Sequence, residues 1–314
     1  VRIWRSLEEV PADLGHTVVT IGNFDGVHLG HVGVLQRARQ VADRLDLGHV
    51  VAVTFDPHPI AVLRPVSAPA MLSSIERRAE LLEAAGADDL LVVPFTDEVS
   101  DWPPERFVEE ILVDTLHASA VVVGANFRFG HRAAGDVALL HRLGVDNEFI
   151  VEGIELSAGP QVWSSTYVRT CLATGDVAGA AEALGRPYSV RGVVGRGDGR
   201  GRGMGWPTAN LAAADVGAVP TDGVYAGWLR VLPTGERHPV AISVGKNPTF
   251  PGQRERRVES YVIDGPDDLD LYDLEVEVEF VAHLREQRRF DDAEQLGEAI
   301  EQDVREARAA LGIA

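Results

Sequence analysis

The chain divides by the rhythm of its apolar positions. From residue 17 to about 185, short and nearly continuous apolar runs alternate with stretches of helical spacing. Thr17-Val18-Val19-Thr20-Ile21 predicts a strand and Leu29 through Leu45 a helix. Residues 50–55, 90–93, 120–124 and 148–154 predict four further strands. A run that is apolar throughout suits a strand buried on both faces, so the alternation predicts a parallel sheet covered by helices. Ser73 or Ser74 offers a cap for a helix from Ile75, and Pro103-Pro104-Glu105 opens another that carries Phe107, Ile111 and Leu112. A short helix after Gly175-Asp176 reaches Leu184, where Gly185-Arg186-Pro187 stops it. The rhythm then changes. Residues 188–194, 223–231, 239–244, 258–263 and 274–282 predict strands with few helices between them, and Val276-Glu277-Val278-Glu279-Phe280 alternates strictly, as a half-buried antiparallel strand does. Closure into a barrel would remove the exposed edges. Residues 291–311 predict a last helix whose stripe of Leu296, Ile300, Val304 and Leu311 should pack on that barrel. The expectation is an α/β protein: a parallel-sheet domain over residues 1–186, then an antiparallel β-barrel with a terminal helix over 187–314.

The residues with chemistry to offer gather where the predicted strands end. Gly22-Asn23-Phe24-Asp25-Gly26-Val27-His28-Leu29-Gly30-His31 joins the first strand to its helix. A helix start presents free N–H groups and partial positive charge, which favour phosphate, and glycines let backbone approach it. His28 and His31 could donate hydrogen bonds to a phosphoryl group in its transition state. The same pair could be solvated, or half of a zinc site completed by His58. Alone, the motif says nucleotidyl transfer without naming a substrate. Asp56-Pro57-His58-Pro59 follows the second strand, and Gly124-Ala125-Asn126-Phe127-Arg128-Phe129-Gly130 the fourth. Ser164-Ser165-Thr166-Tyr167-Val168-Arg169 reads as a helix cap whose hydroxyls, N–H groups and arginine would also suit a pyrophosphate or triphosphate tail. In the second half, Gly195 to Gly205 interleaves glycine with arginine, which can wrap polyphosphate, and Thr208 and Asn210 just beyond offer oxygens to a hydrated magnesium ion.

Composition narrows the partners. The chain has 314 residues, enough for two cores, and a net charge of −19, which argues against nucleic acid or an anionic membrane surface. Any phosphate must therefore be held by local sites. The single cysteine, Cys171, cannot form an internal disulfide and reads as buried packing. With no apolar leader in residues 1–15 and no run of membrane-spanning length, a cytoplasmic protein is expected, and a homo-oligomer is compatible with the pattern.

The four strand-end motifs, in this order, resemble the adenylyltransferase module of the bacterial bifunctional riboflavin kinase/FAD synthetase family. The resemblance implies a Rossmann-like nucleotidyltransferase fold that joins FMN and ATP into FAD. It would assign His28 and His31 to the reacting α-phosphate, and Gly22, Asn23, Gly30, Ser164, Ser165, Thr166 and Arg169 to the nucleotide phosphates. Asp56, His58, Asn126 and Phe129 would lie on the flavin side. The second half resembles the riboflavin kinase module of the same family. Matching stretches there are Arg200-Gly201-Arg202 through Pro207-Thr208-Ala209-Asn210, Asp222-Gly223-Val224-Tyr225-Ala226, Asn247-Pro248-Thr249-Phe250 and Val258-Glu259-Ser260-Tyr261. Here the resemblance implies transfer of the ATP γ-phosphate to riboflavin, with Glu259 as general base. Gly197, Gly201, Arg202 and Gly205 would cover the nucleotide, and Thr208 and Asn210 would position Mg2+. Lys246, the only lysine, stands where the family usually has threonine. Two readings compete: a nucleotidyltransferase for another phosphorylated substrate, for which the second domain has no role, and a flavin-binding regulator that has lost its chemistry.

Overall fold

The computed structural model describes residues 1–155, 163–195, 208–246, 256–266, 269–290 and 292–313. The chain forms two compact units, Val1–Ser165 and Thr166–Ala314.

The first unit is built on a six-stranded parallel sheet of β1 (Arg2–Trp4), β2 (Thr17–Ile21), β3 (His49–Asp56), β4 (Asp89–Pro94), β5 (Ala118–Gly124) and β8 (Ile150–Ile154), in the order β1-β4-β3-β2-β5-β8. A hairpin of β6 (Arg128–Phe129) and β7 (Gly135–Asp136) stands apart from it. Successive side chains of a strand point to opposite faces, so the apolar runs feed two cores. Val18, Val50, Ala52, Leu90 and Val122 lie under the helix Leu29–Leu45, against Val34, Leu35, Ala38 and Val41. Val19, Val51, Val53, Leu91 and Val121 meet Phe107, Ile111 and Leu112 on the other face. The helix carrying these three starts at Pro104 and widens to π-type turns over Val108–Thr115. Ser74, rather than Ser73, caps the helix Ile75–Ala84, accepting the Arg77 N–H at 3.1 Å. β1, β6 and β7 are too short to show a period in the sequence, and the helix Val137–Asp146 is a further element beyond those the pattern predicts. Strand order reverses at β2, which has β3 on one side and β5 on the other. In open α/β sheets a ligand crevice opens at the carboxyl ends of strands at such a reversal.

The second unit is a six-stranded antiparallel sheet of β9 (Tyr188–Val193), β10 (Thr208–Ala212), β11 (Gly223–Val231), β12 (Arg237–Gly245), β13 (Arg257–Val262) and β14 (Glu275–Glu286), in the order β10-β13-β12-β11-β14-β9. It curls until its edges meet, where the Gly195 N–H just past β9 donates to the Asn210 carbonyl of β10 at 2.9 Å. β14 wraps β11 through two register shifts. A Cβ on Gly227 would stand 1.9 Å from the Glu279 carbonyl oxygen, so only glycine permits that approach. β14 runs past the predicted end at residue 282, and β10 had no sequence prediction. The last helix, Ala293–Leu311, is capped by Asp292, which accepts the Gln295 N–H at 2.9 Å. Its buried line is Ala299, Asp303 and Ala307 rather than the large apolar residues, of which Val304 and Leu311 flank the contact. Small residues let the helix lie close over Ala226 and Ala241. Asp303 takes both oxygens to Arg285, at 2.7 Å each.

Candidate active site

The segment after β2 is a tight turn held in place from below. Phe24, Gly26 and Val27 have φ of 48°, 78° and 43°, and positive φ at a β-branched residue such as Val27 is strained. Asp25, buried at 1 % exposure, pins the turn: its carboxylate accepts the Leu72 N–H at 2.9 Å and the Ser73 N–H at 3.1 Å. The Gly26 N–H donates to Ser73 Oγ at 3.1 Å, and Ser165 Oγ donates to the Asp25 carbonyl at 2.8 Å.

The turn delivers His28 to the cap position of the helix Leu29–Leu45 and His31 to its first turn. The spacing of three puts both on one face. Their rings stack at 3.7 Å between centroids, tilted by 26°, and Phe24 meets His31 edge-on at 5.1 Å. Burial, then the neighbouring His28 and the Arg78 guanidinium, hold the proton affinity of His31 well below the ordinary histidine range. His31 is therefore neutral at physiological pH. Its Nδ1 is closed to solvent and has no hydrogen-bond partner among the described residues. Gly30 sits beneath this stack. A Cβ there would come within 3.0 Å of the His28 ring. Gly30→Ala is expected to displace that ring and lower roughly tenfold any reaction that depends on its position, since small misplacements cost rate steeply.

The other predicted residues of the first unit follow the carboxyl ends of its strands or open the next helix. Gly22 follows β2, its N–H bonded to the Val53 carbonyl at 3.0 Å, and the Asn23 carbonyl accepts from Thr54 Oγ1 at 3.0 Å. Asp56 ends β3 exposed. His58 caps the short helix Pro59–Leu63, its Nδ1 accepting the Ile60 N–H at 3.1 Å. Asn126 is exposed on the turn after β5. Phe129 is a core ring, with half-exposed Phe127 stacked on it at 5.4 Å. Ser165 opens the helix Ser165–Thr174, on which Thr166 is exposed and Arg169 half-buried. Ser164 precedes that helix.

In the second unit, sheet register aligns what the sequence separates. Asn210 on β10 is paired with Glu259 on β13, and Glu259 with Ser243 on β12. Facing Cβ atoms are about 5 Å apart on one side of a sheet. That side is the outer one: Val258, Ser260 and Val262 are buried, whereas Glu259 and Tyr261 are half-exposed. Asn210 turns its Nδ2 back onto the Thr208 carbonyl at 2.9 Å and Thr208 Oγ1 at 3.2 Å. The donor end of that amide is thus engaged, and oxygens are what this pair has left to offer. Ser243 Oγ accepts from Gln287 Nε2 at 2.8 Å. Lys246 is exposed at the end of β12. Gly197, Gly201, Arg202 and Gly205, and the run Asn247 to Phe250, lie outside the described residues.

Arg78, Thr54, Ser73 and the Asp25 carboxylate, which support the turn, carry no motif that marks them for this role in the sequence. Arg78 was legible in one respect: it falls between Ile75 and Leu82 on the apolar side of its helix.

A histidine pair thus stands at a helix start where the order of a parallel sheet reverses, a place where open α/β sheets take nucleotides. Behind it in sequence stands an antiparallel sheet with an oxygen-rich outer row. The FAD synthetase family model matches residues 10–166, and the riboflavin kinase model residues 184–311. The bifunctional riboflavin kinase/FMN adenylyltransferase of Pseudomonas fluorescens is 36% identical over 98% of this chain and 97% of its own. That of Listeria monocytogenes is 35% identical over 93% and 91%. A solved structure described as a macrolide-efflux protein from Streptococcus pneumoniae superposes with a TM-score of 0.85 at 27% identity, over 98% of both chains. Among the described residues of the present chain, no helix is long and apolar enough to cross a membrane. The chain belongs to the bifunctional riboflavin kinase/FMN adenylyltransferase family. It is an ATP-using enzyme with both of that family's activities.

Proposed function

We propose that the two reactions run at the two sites above, with residues 1–186 as the adenylyltransferase module and 187–314 as the kinase module. In the first reaction an FMN phosphate oxygen attacks the α-phosphorus of ATP in line; a P–O bond forms as the α–β bridge breaks, and pyrophosphate leaves. The stacked imidazoles of His28 and His31 carry this reading, because they place two ring N–H donors beside the free N–H groups of a helix start. They steady the charge that builds on the α-phosphate oxygens. Gly22, Asn23 and Gly30 allow the close approach, and Ser164, Ser165, Thr166 and Arg169 hold the departing phosphates. Asp56, His58 and Asn126 line the flavin side, and Phe129 acts there by backing Phe127.

In the second reaction Glu259 takes the proton of the riboflavin 5′-hydroxyl as that oxygen attacks the γ-phosphorus, and ADP leaves. Phosphoryl transfer depends on positioning and charge neutralisation. The neutral oxygens of Thr208 and Asn210 fit Mg2+, which takes a few protein oxygens together with phosphates and water. When bound, the ion would neutralise phosphate charge. Gly197, Gly201, Arg202 and Gly205, outside the described residues, are assigned to the nucleotide phosphates by family resemblance alone. A cytoplasmic setting suits a chain whose one cysteine, Cys171, is buried and unpaired.

Incubation with riboflavin, ATP and Mg2+, followed by chromatography, should show FMN first and FAD later. Riboflavin that stays bound and unchanged would turn the reading towards a flavin-binding regulator.

A further inference from the structure

Beneath the histidine turn lies an ion pair that neither reaction uses. Arg78 and Asp25 are each 1 % exposed, with Arg78 Nη2 3.6 Å from Asp25 Oδ1. Arg78 Nη1 donates to Thr54 Oγ1 at 3.1 Å, and Thr54 passes the link on to the Asn23 carbonyl at 3.0 Å. Its Nη2 reaches the Ser73 carbonyl at 3.4 Å, in the segment whose N–H groups hold the Asp25 carboxylate. The guanidinium therefore ties the helix Ile75–Ala84, the end of β3 and both sides of the strained turn to one point.

Such a pair is a poor device for stability. Two charges removed from water lose most of what their attraction returns, and well-packed apolar residues often serve a fold as well. What a buried guanidinium bonded through both of its Nη atoms does supply is position. The residues it fixes, 23 to 25, lead directly into His28. Its charge also reaches His31, adding to the burial that keeps that ring neutral.

We propose that Arg78, acting with Asp25 and Thr54, is a positioning residue for adenylyl transfer: it sets the turn that aims the His28–His31 stack. Nothing in this requires Arg78 to touch either substrate. The proposal rests on the assignment of His28 and His31 to FAD formation.

The experiment measures FAD formation from FMN and ATP, and FMN formation from riboflavin, in each variant of the full chain. Arg78→Met should lower kcat for FAD by about 100-fold, the scale of a misplaced catalytic group, with KM for FMN and the kinase rate unchanged. Arg78→Lys, which keeps the charge but not the fork, should recover part of that loss. Thr54→Val, nearly isosteric, is the gentler probe and covers the case in which Arg78→Met does not fold; it should lower the same kcat without moving KM. If kcat survives in Thr54→Val and Arg78→Met while His28→Ala is inactive, the brace is wrong and the histidine site stands. A rise in KM with kcat intact would also overturn it. Full activity in His28→Ala would instead remove the histidine assignment itself.

Discussion

His28→Ala is expected to stop FAD formation while FMN accumulates from riboflavin. Removing one preorganised donor to a developing oxyanion costs roughly 100- to 1,000-fold in rate. Here the loss should lie towards the upper end, because the His28 ring also forms one wall of His31: the two rings stack at 3.7 Å. Without that wall, His31 gains room and solvent, and its ring is no longer held in one direction. Folding should survive, since the turn is pinned by Asp25 and Ser73. The kinase reaction of the same molecules is the internal control. Chromatography of a riboflavin, ATP and Mg2+ incubation reads both at once, and FAD appearing at the wild-type rate would remove the histidines from the mechanism.

Glu259→Ala should give the opposite separation. Loss of a general base costs roughly 100- to 10,000-fold, so FMN formation should become undetectable in a short assay. FMN supplied from outside should still be converted to FAD at the normal rate. The exchange should cost little stability, because Glu259 is half-exposed on the outer face of β13 and the barrel interior is built by Val258, Ser260 and Val262. Loss of both activities in a folded Glu259→Ala protein would contradict the assignment of one reaction to each module.

These two residues differ in how far the sequence exposes them. The histidines are legible because everything that makes them a site is local: an apolar strand, glycines in the turn and a spacing of three at a helix start. Glu259 is not legible from its surroundings, since alternation along β13 says only that it faces outward. Its neighbours Asn210 and Ser243 come from strands far away in the chain, and antiparallel register alone aligns them. Strand β10 escapes the pattern because it follows a glycine-rich run and is five residues long. The last helix shows another limit. Its large apolar residues mark the correct side but not the contact line, which runs through Ala299, Asp303 and Ala307 because closeness to the sheet rewards small residues. Arg78 is hidden for a different reason. Its spacing puts it on the apolar side of its helix, but only the buried Asp25 from a distant turn explains a charge inside.

Asn210 carries two duties on one residue. Its backbone carbonyl makes the bridge that brings the edges of the barrel sheet together, and its side chain belongs to the oxygen row beside Glu259. On the assignment proposed above, sealing the seam and completing the phosphate site draw on the same residue. A barrel opened along this line should then lose kinase activity before it loses its core, and a ligand that steadies Asn210 should also work as a latch on the sheet.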